Sequence, residues 1–144
     1  MPIFDNQSRD ALRRVYLDTW RKRQQGAVME PLEAQVADVI ELHPEYHAAL
    51  AQAVQPLDHD YSPENGESNP FLHMGLHLAV RDQVATDRPA GIREVFMALE
   101  RRLGSTHDAE HRLIDCLAEA LWTAQRNGAP PDEQAYLESL RGLR

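Results

Sequence analysis

Cysteine is almost missing from this chain: among 144 residues only Cys116 occurs. An internal disulfide and a cysteine-based zinc cluster are therefore excluded, and such sparing use fits a reducing compartment. Long hydrophobic runs are missing too, since nothing approaches the roughly eighteen consecutive apolar residues of a membrane helix. The opening "MPIFDNQSRD" has neither the basic nor the apolar region of a signal peptide. These absences predict a cytoplasmic protein that does not enter a membrane. Positive charge is short as well, with 15 Lys and Arg against 23 Asp and Glu and a net charge of −8. That balance repels phosphate backbones, so nucleic acid is not expected as a partner. The one basic cluster, "RKRQQ" at 21–25, falls at the end of a helix, where cations complement the dipole anyway.

What is present reads as a globular chain, 42% hydrophobic and 26% charged, of the size of one domain. No strand-like alternation occurs, whereas a 3.6-residue period recurs throughout. The first helix runs from about Ser8 to Gln25 and stops at Gly26; Leu12, Val15, Tyr16 and Trp20 are its expected inward side. The second opens at Pro31, with Glu33 in its first turn, and turns Leu32, Val36, Val39 and Ile40 inward. Pro44 breaks or kinks it, and a third helix reaches about Val54. Residues 55–69, "QPLDHDYSPENGESN", form a long polar loop that could serve as a lid.

Asn69 caps a fourth helix from Pro70 to about Thr86. Helices five (Ile92–Leu103, ended by Gly104) and six (capped at Ser105 or Thr106, reaching about Arg126) follow. A last helix, about Asp132 to Leu140, turns Tyr136, Leu137 and Leu140 inward. The prediction is an all-α single domain, residues 1–144, a bundle of six to seven helices.

Six of the seven histidines fall into three pairs at spacing four: "HPEYH" (43–47), "HMGLH" (73–77) and "HDAEH" (107–111). Random placement gives roughly 0.3 such pairs, so composition does not produce three. At 100° per residue each pair lies on its helix's apolar stripe. His43 and His47 align with Val36, Leu50 and Val54, and His73 and His77 with Val80 and Val84. His107 and His111 align with Ile114, Ala118, Leu121 and Trp122. An unpartnered buried imidazole costs about 1–3 kcal/mol, and six would consume a whole domain stability of about 5–15 kcal/mol. Something must satisfy them.

Two imidazoles one turn apart can grip a single ion at about 2.0–2.1 Å. Three inward pairs predict a shared transition-metal site in the core, with His43, His47, His73, His77, His107 and His111 as ligands. Six imidazoles exceed the needs of one open site, so two ions are expected, iron or zinc foremost and copper also compatible. Glu110, inside the stripe of helix six, is the expected further ligand or bridge. The arrangement is analogous to haemerythrin-type di-iron and type 3 dicopper sites, which bind oxygen through imidazoles on helices. Expected activities are oxygen or peroxide chemistry, metal-assisted hydrolysis, or metal or oxygen sensing, with a small molecule or dioxygen as partner. No catalytic residue, substrate or oligomeric state is assigned; Tyr61 or Glu64 of the loop could reach the metals. Cys116 points away from His107 and is not counted as a ligand.

Two other readings compete. The histidines could be structural, in a non-enzymatic interaction module or a pH-responsive network. A pair of axial histidines could instead hold haem. At "HPEYH", "NPFLHMGLHLAVRDQ", "DRPAGIR" and "HDAEHRLIDCLAEALWTAQR" the chain resembles a bacterial family, domain of unknown function 1841, over nearly its whole length. The resemblance implies a small cytoplasmic bacterial protein and no particular mechanism.

Overall fold

A computed structural model of the chain describes residues 6–52 and 69–143. Among these residues there is no strand, and the all-α expectation holds: seven α-helices and one 3-10 turn. They are α1 (Asn6–Gln25), α2 (Pro31–Glu41), the 3-10 turn (Pro44–Tyr46), α3 (His47–Gln52), α4 (Pro70–Thr86), α5 (Ile92–Leu103), α6 (Thr106–Asn127) and α7 (Glu133–Arg141). The chain divides into two compact units, with the boundary between Met74 and Gly75 inside α4.

In the first unit α1 packs on α2 and α3. Its core holds Tyr16, Trp20, Val36, Ala37, Val39, Ile40 and Leu50. The inward stripe of α1 differs from the sequence reading: Arg13, Tyr16, Thr19 and Trp20 are buried, while Leu12 and Val15 are exposed. The buried Arg13 guanidinium lies 5.1 Å over the Phe71 ring, and Tyr16 meets the same ring edge-on at 5.6 Å. A hydrophobicity count cannot anticipate a cation held by an aromatic face. Leu32 is exposed too, since it stands at the open start of α2.

The basic cluster at the end of α1 is occupied by acids of α2. Lys22 meets Glu33 at 2.6 Å, and Arg23 meets Asp38 at 2.8 Å and Glu41 at 3.0 Å. Arg21 pairs with Asp18 within its own helix.

Pro44 breaks the helix outright. Without a backbone N–H it cannot continue α2, which stops at Glu41, and the chain re-enters helix only at His47.

The second unit is built on α5, α6 and α7, which pack on one another. Val80, Val95, Leu99, Leu113, Ile114, Leu117 and Leu140 belong to its core. Helix ends follow the sequence signals. Ser105 Oγ accepts from the Asp108 N–H at 3.1 Å, and Asp132 Oδ1 accepts from Gln134 and Ala135. On α6, Leu121 and Trp122 correct the predicted stripe. Leu121 points the same way as Glu110 but is 42% exposed, because it lines an open groove; Trp122 is 57% exposed, under the Arg126 guanidinium.

The motif "DRPAGIR" is a built turn. Asp87 adopts φ +53°, and its Oδ1 accepts from the backbone N–H of Gly91 at 3.2 Å and of Arg93 at 3.1 Å. Arg93 reaches back and donates to the last carbonyls of α4, Val84 O at 3.1 Å and Ala85 O at 2.7 Å. Asp87→Ala should lose both acceptor bonds and strain the left-handed backbone, costing about 1–2 kcal/mol in urea denaturation. Asp87→Asn keeps an acceptor and tolerates that φ, so it should recover most of the loss. Equal losses in the two variants would show the turn is not held by the side-chain oxygen.

Candidate metal centre

The strongest assembly of ligating atoms within one unit lies between α4 and α6. His77 is fully buried on the inner face of α4, one turn after His73. His107 stands in the first turn of α6, and His111 follows one turn later. Spacing four on one helix places His107 and His111 side by side, with ring centroids 4.2 Å apart, and both rings face His77 at 5.2 and 4.9 Å.

A ligand nitrogen from each of the three lies within 4.8 Å of the others, so the trio could hold a metal ion. His111 Nε2 and His77 Nε2 are 3.1 Å apart. Two nitrogens on one ion at bonds of about 2.0–2.1 Å are separated by about 2.9–3.4 Å, from octahedral to tetrahedral angles. The separation of that pair is compatible with a shared ion, and His107 offers a third nitrogen within 4.8 Å.

Glu110, the expected further ligand or bridge, pairs with two side chains of α4. Its carboxylate is buried, as expected, but it lies behind His77 and not among the clustered nitrogens: Oε1 accepts from His77 Nδ1 at 2.8 Å. Arg81, one turn beyond His77 on α4, donates Nε to both carboxylate oxygens, at 3.2 and 3.0 Å. Burial pushes the Glu110 carboxyl up, but the His77 and Arg81 bonds outweigh it and hold it below the usual carboxylate range. An ionised Glu110 accepts a hydrogen bond from the His77 Nδ1–H, so the lone pair of His77 is on Nε2, the atom facing His111.

Arg81, bonded to the carboxylate behind His77, is the residue beside the cluster that the sequence reading missed. Its signal was present: a cation four residues after His77, beside Val80 and Val84 on an apolar stripe, needs a buried anion.

In the first unit His43 is buried, and its Nδ1 donates to the Val39 carbonyl at 2.7 Å. That bond places the lone pair on Nε2, the tautomer used by metal-binding histidines. The His43 ring meets His73 at 5.0 Å and stacks on Tyr46 at 5.5 Å. His47 has another engagement: Nε2 lies 2.8 Å from the Ile40 carbonyl, which also accepts from the His43 backbone N–H at 2.9 Å, and its ring lies 4.4 Å from Trp20. The helix break at Pro44 thus separates the two histidines of "HPEYH" in environment.

The loop residues His59, Tyr61 and Glu64, and the expected lid apart from its last residue, Asn69, lie outside the described residues, as does Val54. Cys116 is half-buried and outside the cluster; burial pushes its thiol up, as do Asp115 and Glu119. The groove beside Leu121, about 760 Å³, is lined by Gln83, Arg88, Leu117 and Tyr136 and by none of the histidines among the described residues. There the Tyr136 hydroxyl donates to Gln83 Oε1 at 2.6 Å. No helix among the described residues is long and apolar enough to cross a membrane.

Fold and site together define an all-α protein with a buried histidine cluster that could hold a metal ion. The chain belongs to the family described as domain of unknown function (DUF1841), whose model matches residues 8–142. Neither the curated proteins nor the solved structures give a match to it.

Proposed function

We propose that the protein is a metal-binding helical protein whose histidines hold a transition-metal ion for oxygen or peroxide chemistry or for metal or oxygen sensing. The observation that carries this reading is the 3.1 Å approach of His77 Nε2 to His111 Nε2, with His77 Nδ1 tied to a buried carboxylate. Imidazole donors suit iron and zinc foremost, and copper as well. The repeated spacing of His43 with His47 and His73 with His77 supports extending the centre to two ions and six imidazoles. That extension rests on the sequence pattern, and His47 would have to release the Ile40 carbonyl to take part. Dioxygen or another small molecule is the proposed partner, and the single cysteine supports a cytoplasmic setting.

Elemental analysis of untagged protein, purified without chelator or nickel resin, tests the proposal. We expect about two equivalents of iron, zinc or copper, with at least one lost when His107 and His111 are both replaced by alanine. A single equivalent lost in that variant would confine the centre to the trio of the second unit. Protein that carries no metal and retains none after incubation with zinc or cobalt(II) would overturn the reading.

The second reading, a hydrogen-bonded pH-responsive network in a non-enzymatic module, draws on the same 3.1 Å distance, which also suits a proton shared by the two imidazoles. Protein that binds neither zinc nor cobalt(II), yet loses stability when His77 or His111 is replaced by alanine, would favour it.

A further inference from the structure

We infer that the centre of the second unit takes a small anion as its exogenous ligand, and that Arg81 favours the binding of that anion; the inference rests on the metal reading above. Every clustered ligand atom in this unit belongs to an imidazole, which is neutral when it coordinates. The one buried carboxylate, Glu110, lies behind His77, where it could lend the centre negative charge through the ring. Arg81 cancels that charge through Nε bonds to both oxygens. A divalent ion in this ligand set therefore keeps essentially its full double charge.

The other charged side chains nearby on α4 and α6, Asp82, Asp108 and Arg112, are exposed, where solvent and salt screen them. Inside a site of low effective dielectric, an uncompensated dication recruits an anion strongly. Access is available at one side, because His107 and His111 are only half-buried and the Arg81 side chain is 30% exposed. A ligand small enough to reach that edge and donate one oxygen or nitrogen fits: hydroxide, a short carboxylate, or a reduced dioxygen species such as peroxide. Glu110 and Arg81 are positioning residues in this scheme, acting on the ligand through His77 and through charge.

Cobalt(II)-loaded full-length protein titrated with sodium azide, followed by the visible ligand-field bands of cobalt, tests this. Azide should shift the bands along a saturable curve. Arg81→Gln should weaken azide binding about tenfold, the effect of deleting one charge at partly screened range, and by clearly more than it weakens cobalt binding. Arg81→Lys, which keeps the charge, should stay within about threefold of the parent for azide. A merely structural role for Arg81 would weaken cobalt and azide equally, and that outcome would overturn its assignment. Cobalt that binds with bands unmoved by azide would overturn the anion inference and leave the metal reading standing. Failure to bind cobalt at all would remove both.

Discussion

Glu110→Ala should destabilise the metal-free protein by about 3–5 kcal/mol, because truncating one member of a buried charged network leaves its partners without compensation. His77 and Arg81 both direct nitrogens at this carboxylate, and the Glu110 side chain is only 5% exposed. The loss is a large part of an ordinary domain stability of about 5–15 kcal/mol. Glu110→Gln should cost less, since an amide oxygen can still accept from His77 or Arg81. The two variants also separate structure from function. Both should weaken metal binding, the alanine variant by about 10–100-fold, because the carboxylate orients the ring behind the ligand nitrogen. Urea denaturation monitored by circular dichroism, beside zinc titration, measures both quantities. If Glu110→Ala unfolds at the parent midpoint, the network is not what stabilises this part of the molecule.

Leu113→Ala is the second large effect. Leu113 is fully buried in the core of the second unit, on the helix that also carries His107, Glu110 and His111. Its truncation removes apolar contacts and leaves a cavity, with a cost of about 2–5 kcal/mol. No ligand or charge is touched, so metal binding should survive in whatever fraction is folded. Added zinc should then recover stability by mass action, about 2.7 kcal/mol at a hundred times the dissociation constant. A Leu113→Ala protein that zinc does not stabilise, beside a parent that it does, would mean that the site depends on core packing more than on its own ligands. A loss under 1 kcal/mol would contradict the central place given to this side chain.

The contrast between these variants bears on how the molecule is organised. α6 carries the core of the second unit through Leu113, Ile114 and Leu117, and the candidate site through His107, Glu110 and His111. Much of the ordering that a ligand set requires thus comes from packing the helix needs in any case. The cost of a buried carboxylate is offset by two donors, one from the candidate ligand His77 and one from Arg81.

Most of the helical frame was legible in the residues themselves. Proline at helix starts, serine and aspartate caps and glycine stops act within a few residues of their own position, so their effect is local. Asn69 caps α4, Ser105 caps α6 and Gly104 ends α5 as their types predict. The inward direction of His77 and of the pair His107 and His111 followed from helical periodicity alone, for the same reason. Partners across helices were not legible. That Glu110 pairs with His77 and Arg81, and that the Arg13 guanidinium lies over Phe71, depend on distances between residues far apart in sequence. Spacing along one helix sets the direction in which a side chain leaves its own axis; only the packing of that helix against another decides what it meets there.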